Sequence, residues 1–241
     1  MRIPHGIFDY KGGTPTPSYP TDGLIDRWTF EESLTGDNGN TWSVDGTFTY
    51  DYSTGIIPGT KCIRQTNTEA EKSKLYINEN IFPTFDASIV DWTIAYWAYI
   101  PSGSTTQNQH VFGKGNWFNI PSWMIQLENG ATGGVWKNLK IGNYGSLNTA
   151  TVNLSTPSWY HFIVTLNRTS LTTGTYYAYI NNVLKLTGTT GLPNVNTTDF
   201  NLFNNWGDAC LKNTMVDQFY MYNRVLSEVE RAQLYNGGAG I

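Results

Sequence analysis

The stretch MVDQFYMYNRVLSEVERAQLYNGG, residues 215–238, changes its periodicity half-way. From Met215 to Tyr222 the pattern is that of a strand, with Phe219 and Met221 on one face and Tyr220 and Tyr222 on the other. From Ser227 the pattern is helical. Ser227 and Glu230 have the spacing of a capping box, in which the hydroxyl accepts from the Glu230 amide and the carboxylate reaches back to the cap. Val229, Ala232 and Gln233 span about one helical face with Leu234 beside them, and Gly237 suits the left-handed residue that ends a helix. A final strand and a two-turn helix thus close a chain that carries almost no other helical signal.

Working outward, strand signals bounded by turn residues recur along the chain. LIDRWTF (24–30) is followed by the turn cluster TGDNGN (35–40), and WTIAYWAYI (92–100) is apolar on both faces. WYHFIVTLN (159–167) sets Tyr160, Phe162, Val164 and Leu166 on one face. TYYAYI (175–180), Asn181-Asn182 and VLKLTG predict a hairpin, because Asn tolerates the positive φ of a tight turn. Strands with two apolar faces suit two packed sheets. Ahead of them, GGTPTPSYPTDG denies helix and sheet alike, so residues 1–22 read as an extended arm and residues 23–241 as one domain.

Composition limits the function. Of 241 residues, 39% are hydrophobic and 14% charged, which is a globular balance able to bury a sizeable core. Net charge is −4 and no basic block occurs, so neither nucleic acid nor an anionic membrane is an expected partner. No run approaches the length of a membrane span, and the N-terminal MRIPHGIFDYKGG lacks the apolar core of a secretion signal. Nine Trp, 15 Tyr and 11 Phe beside many Gly, Thr and Asn equip a sugar-binding surface, although the same residues build ordinary strands. Cys62 and Cys210 are too few for a disulfide framework and read first as buried free thiols and second as a single disulfide.

The closing segment resembles the end of LamG-like jelly-roll domains of the concanavalin A-like lectin/glucanase fold. It matches in Val216-Asp217-Gln218-Phe219-Tyr220-Met221-Tyr222-Asn223 and in Leu234-Tyr235-Asn236. Asp91-Trp92-Thr93-Ile94 to Trp97, Trp159 to Thr165, and Ala178 to Leu184 match three further family strands in the expected order. The resemblance covers Leu24 to Asn236 and implies an all-β jelly-roll sandwich of two antiparallel sheets with a short C-terminal helix. It also implies a module familiar from phage virion fibres, decoration proteins and receptor-binding tips. A virion or extracellular surface would then be its location, and homo-oligomers would be natural. The arm's own Ile3, Ile7, Phe8 and Tyr10 predict either a groove that they fill on another assembly protein or packing back onto their own domain.

That fold houses lectins and glycosidases alike, so the site must decide. Retaining glycosidases of the family carry E-x-D-x-x-E on one strand, which sets two carboxylates about 5 Å apart. No such spacing occurs: Glu69 and Glu71 sit in a Lys-rich polar stretch, Glu128 stands alone, and Asp86 and Asp91 flank a turn. No Ser lies in a nucleophile elbow, and His161 matches a family strand position that favours a packed histidine. The expectation is a non-catalytic, lectin-like protein that binds cell-surface glycan. The alternative is a purely structural virion protein, and a glycoside hydrolase ranks third. For sugar, Asn204, Asn205, Trp206 and Asp208 combine a stacking ring with amides and a carboxylate. Trp117 and Trp136 are poorer versions, and all are expected on loops at one rim. The resemblance further implies one structural Ca2+ held by the closing-strand Asp217, with partners from Glu31, Glu32 or the loop of Asp37, Asn38 and Asn40.

Overall fold

The computed structural model describes residues 19–45, 49–66, 74–78, 81, 91–102, 109–114, 123–129, 135–143, 146–170, 173–191, 199–203 and 213–241. Their strands form two antiparallel sheets. One runs β13 (Val183–Gly191), β12 (Thr173–Ile180), β11 (Ser158–Arg168), β6 (Trp92–Ile100), β15 (Met215–Tyr222), β4 (Lys61–Gln65) and β3 (Tyr50–Thr54). An eighth strand, β1 (Leu24–Trp28), pairs with the second half of β15 while β4 pairs with its first two residues. The other sheet runs β10 (Ser146–Ser155), β9 (Val135–Asn143), β8 (Trp123–Asn129), β7 (Gln109–Lys114), β14 (Phe200–Leu202), β5 (Lys74–Ile77) and β2 (Ser43–Asp45). These are the two packed sheets that the strand pattern predicts, in the jelly-roll sandwich that the family resemblance implies.

Alternation decides what each sheet contributes to the core. Tyr96 stacks between Phe162 and Phe219, at 5.4 and 5.5 Å between ring centroids. Phe219 also meets Phe112 of the opposite sheet at 5.2 Å, and Trp28 and Trp42 at 5.9 and 5.7 Å. Phe219 and Met221 therefore enter the core while Tyr220 and Tyr222 leave it on the outer face. Burying this many large rings is where the sandwich gains most of its stability.

The outer face of the eight-stranded sheet is roofed at its middle by α1 (Glu228–Tyr235). The capping box is present: Ser227 accepts from the Glu230 amide and Glu230 accepts from the Ser227 amide. The helix seats Leu234 over Ala95, Ile163, Tyr220 and Tyr222. Tyr235 stacks on Trp97 and His161, both at 5.9 Å. Val229, expected to share the apolar face, is 77% exposed, because the helix approaches the sheet through its second turn. The left-handed cap is Asn236 (φ 46°, ψ 46°), one residue before the expected Gly237, which is left-handed as well. Asn181 and Asn182 both take positive φ, as a tight hairpin between β12 and β13 requires.

The last residues of the proline-rich arm also belong to this roof. Tyr19 packs on Tyr220 at 5.8 Å and lies under the Arg27 guanidinium, and the Tyr222 hydroxyl donates to the Pro20 carbonyl at 3.0 Å. Arg224 binds the Asp22 carbonyl and carboxylate. Residues 1–18 of the arm lie outside the described residues.

Candidate functional site

On the seven-stranded sheet, Phe112, Ile125, Leu127, Leu139, Ile141, Phe200 and Leu202 point into the core. Their neighbours in β8, β9, β10 and β14 consequently face outward, and nearly all are polar: Gln126, Glu128, Asn138, Lys140, Thr149, Thr151 and Asn201. They are organised as a network. The Glu128 carboxylate accepts from Lys140 Nζ at 2.6 Å and from Asn138 Nδ2 at 2.7 Å, and the Thr151 hydroxyl donates to Asn138 Oδ1 at 3.3 Å. Those donors hold the Glu128 carboxyl below the usual carboxylate range, Lys140 contributing most. Gln126 is only 1% exposed, and its Oε1 has no hydrogen-bond partner. A buried amide oxygen without a donor costs about 1–3 kcal/mol, unlike the satisfied groups around it.

The direction of the strands separates the residues expected at a single rim. β7 and β14 are antiparallel neighbours, with Phe200 opposite Lys114 and Leu202 opposite Phe112. The chain leaves β7 at Lys114 and β14 at Leu202, so the segments leading to Trp117 and to Asn204 start from opposite ends of the sheet. Trp136 pairs with Asn129 and Leu154 at the end where β7 begins, which is the end where β14 finishes. The segment toward Asn204, Asn205, Trp206 and Asp208 thus starts on the side of Trp136, Glu128, Asn138 and Thr151, at the end opposite Lys114. Residues 117 and 204–208 and the Trp136 side chain lie outside the described part of the structure. Glu69, Glu71, Asp86 and Cys210 do too, whereas Cys62 is a buried free thiol.

Asp217 occupies a bulge. It pairs with Trp97 and Tyr220 with Ala95, so β15 carries one extra residue there, and Gln218 takes φ 47°. The bulge turns both Asp217 oxygens onto main-chain amides: Oδ2 accepts from Ile56 at 2.9 Å and Oδ1 from Gln218 at 2.7 Å. Burial, with help from the Glu31 charge nearby, pushes the Asp217 carboxyl up to about 7 against those two hydrogen bonds. Gly55 makes the fit possible, since a Cβ there would fall 2.5 Å from Asp217 Oδ2. Glu31 accepts from the Lys61 amide at 3.1 and 3.0 Å.

The DNGN loop does not join Asp217. It wraps Asp26, whose carboxylate accepts from the amides of Arg27, Asn38 and Asn40 and from Asn40 Nδ2 at 2.7 to 3.0 Å. Asp37 instead pairs with Arg27 at 3.4 Å. Of the expected metal set, Asp217 and Glu31 share a neighbourhood, Glu32 pairs loosely with Lys61, and Asp37 is tied elsewhere. Among the described residues no three His, Cys, Asp or Glu side chains converge on one point. The missed carboxylate is Asp26. Its only signal is the loop of Asx and Gly residues that it organises.

Two acids at glycosidase spacing are not found on the seven-stranded face among the described residues. Its acids there are Glu128 on β8 and Asp45 on β2, four strands apart. That separation is about 19 Å at ~4.8 Å per strand, beyond the 5–9.5 Å that hydrolysis uses. His161 is fully buried, lying 4.9 Å from Trp97 and beneath Tyr235. Neither ring nitrogen has a partner, and burial alone pulls its pKa down to about 3. It is a packed neutral imidazole, as its strand position suggests.

Comparison with known proteins agrees with this fold. The family model Laminin_G_3, described as Concanavalin A-like lectin/glucanases superfamily, matches residues 71–230, well over half of the chain. Domain 4 of AbnA, a GH43 extracellular arabinanase from Geobacillus stearothermophilus solved with arabinotriose, superposes with a TM-score of 0.63 at 19% identity, covering 86% of this chain and 95% of that one. Botulinum neurotoxin type C, whose cell entry depends on two ganglioside molecules, superposes at 0.64 and 16% identity, covering 89% of this chain and 51% of that one. The binding domain of botulinum neurotoxin DC, solved with rat synaptotagmin II, gives 0.62 at 15% identity over 89% and 51%. A search of the curated proteins gives no match.

Proposed function

The chain belongs to the concanavalin A-like lectin/glucanase superfamily, and from that premise we propose that it is a non-catalytic glycan-binding module. The observation that carries the reading is the polar outer face of the seven-stranded sheet, where Glu128, Lys140, Asn138 and Thr151 form one network beside the buried Gln126 amide. Convergent amides, hydroxyls and one ion pair suit the hydroxyls of a sugar, and the rings of Trp136 and Trp206 would supply the apolar contact. The wide separation of Glu128 and Asp45 speaks against hydrolysis. Structures of the same fold hold arabinotriose or depend on gangliosides, which points to the same ligand class. Incubation with a panel of oligosaccharides tests both halves: retarded migration in affinity gels with no new reducing ends is expected. Release of reducing ends would make the protein an enzyme.

The finer reading sets this module on a virion or other extracellular surface. Residues 19–22 already serve its own fold, so residues 1–18 fall to anchoring on a neighbouring assembly protein. Apolar Ile3, Ile7, Phe8 and Tyr10 in that segment favour a groove on a partner. A structural Ca2+ is part of the proposal at Asp217 and Glu31, without Asp37. The buried Asp217 carboxylate and the Glu31 charge near it would be the acidic ligands, and main-chain carbonyls and water would complete the six to eight oxygens.

A further inference from the structure

The roof over the eight-stranded sheet ends one row short of the sheet's edge. Tyr235 covers Trp97 and His161, but the next outward-facing row is left open. That row crosses five adjacent strands: Asp51 of β3 pairs with Arg64 of β4, Arg64 with Met215 of β15, Met215 with Tyr99 of β6, and Tyr99 with Trp159 of β11. The inward neighbours Tyr52, Ile63, Val216, Ala98 and Tyr160 pack in or against the core, which fixes the outward direction of all five. Each of the five is half-buried. At ~4.8 Å per strand the strip is about 19 Å long.

Its two ends differ in chemistry. At one, Tyr99 and Trp159 meet edge to face at 5.7 Å, and Met215 is the strand neighbour of Tyr99, its thioether 3.6 Å from the Cys62 thiol. At the other, Arg64 binds Asp51 through two parallel hydrogen bonds, Nε to Oδ1 at 2.7 Å and Nη2 to Oδ2. The pair stays 36% and 43% exposed, and among the described residues Arg64 donates only to Asp51, through Nε and Nη2. The charges cancel within the pair.

We propose that the strip Asp51–Arg64–Met215–Tyr99–Trp159 is a second binding site, on the sheet opposite the first, and that it takes a short neutral oligosaccharide. An aromatic platform at one end gives dispersion contact to the C–H face of a sugar ring. A fixed, internally neutral Arg–Asp fork at the other end donates to and accepts from hydroxyls while offering no net charge to an acidic ligand. A protein partner would call for a broader unbroken apolar centre than three side chains in single file. This inference shares only its ligand class with the proposed function and uses none of the same residues.

The test is calorimetric titration of the full chain with the neutral trisaccharides arabinotriose, cellotriose and maltotriose, using wild type, Trp159→Ala, Arg64→Gln, Asp51→Asn and Asn138→Ala. Trp159→Ala should weaken binding of at least one trisaccharide about tenfold or more. Arg64→Gln and Asp51→Asn, at half-buried positions on the outer face, should weaken it several-fold with unchanged melting temperatures. Asn138→Ala should leave this component intact while diminishing the one on the other sheet. Binding that Asn138→Ala abolishes and the three strip variants do not touch would overturn the strip and spare the proposed function. Absence of any binding would overturn both. A change in sedimentation on Trp159→Ala, with sugar binding untouched, would make the strip a contact between copies and overturn the proposal.

Discussion

Replacing His161 by Phe should remove a defined part of the protein's acid sensitivity. The imidazole lies between Trp97 and Tyr235 with both nitrogens unpartnered, so the folded state holds it neutral, with a pKa pushed down to about 3. Unfolded, it titrates near 6.5. Because the folded value is depressed, stability from this residue is complete above pH 6.5 and is lost as pH falls from there toward 3. Each unit in that window costs about 1.4 kcal/mol, so lowering the pH from 7.5 to 5.0 should cost about 2 kcal/mol. Phe keeps a ring in the stack and relieves two unsatisfied nitrogens, so the variant should be no less stable at pH 7.5. Urea unfolding of both proteins at pH 7.5 and 5.0 gives the comparison. Other titrating groups, Asp217 included, act in both proteins and cancel in the difference. Equal losses in wild type and His161→Phe would refute the reasoning, as would a folded-state NMR titration of His161 near 6.5.

Three further outcomes follow from the same contacts. If Asp217 helps hold calcium, EDTA lowers the melting temperature of wild type and leaves Asp217→Asn nearly unresponsive; a wild-type curve that ignores EDTA retires the ion. Ser227→Ala removes the capping box and should cost about 1 kcal/mol in urea unfolding, while a variant as stable as wild type would mean that tertiary contacts alone hold α1. Deleting residues 1–18 should leave stability almost unchanged, whereas deletion through Asp22 strips Tyr19 from Tyr220 and Pro20 from Tyr222 and should cost about 1–3 kcal/mol by thermal melts. Equal stability of the two truncations would show that residues 19–22 merely rest on the sheet.

Features governed by neighbours in the chain were legible in the sequence. Ser227 and Glu230 are three residues apart, Asn181 and Asn182 adjoin, and the alternation in β15 needs eight residues, so each could be read without a fold. Features that join distant segments were not. The Ile56 amide reaches Asp217 across 161 positions, and nothing in IIPGTK announces it. Asp26 looks like one acid in a strand until its four donors gather around it. The alternation of WMIQLEN and WKNLKIGN marks Glu128 and Lys140 as outward, but their ion pair depends on a register that only the sheet supplies. Strand direction is equally invisible: Trp117 and Trp206 each follow a strand, and the antiparallel pairing of β7 with β14 starts their segments at opposite ends. Val229 shows the limit even of local reading, since an eight-residue helix can meet its sheet through one turn.

A glycan microarray probed with the full chain and with Asn138→Ala addresses the central claim most directly. Asn138 links Glu128 to Thr151 on the outer face of the seven-stranded sheet, and Ala there disconnects the network without touching the core. Wild type should bind a restricted set of glycans, and Asn138→Ala should lose signal on that set by about tenfold or more, with an unchanged melting temperature. A wild-type protein that binds no glycan, or a variant that binds the same set equally well, would contradict the account.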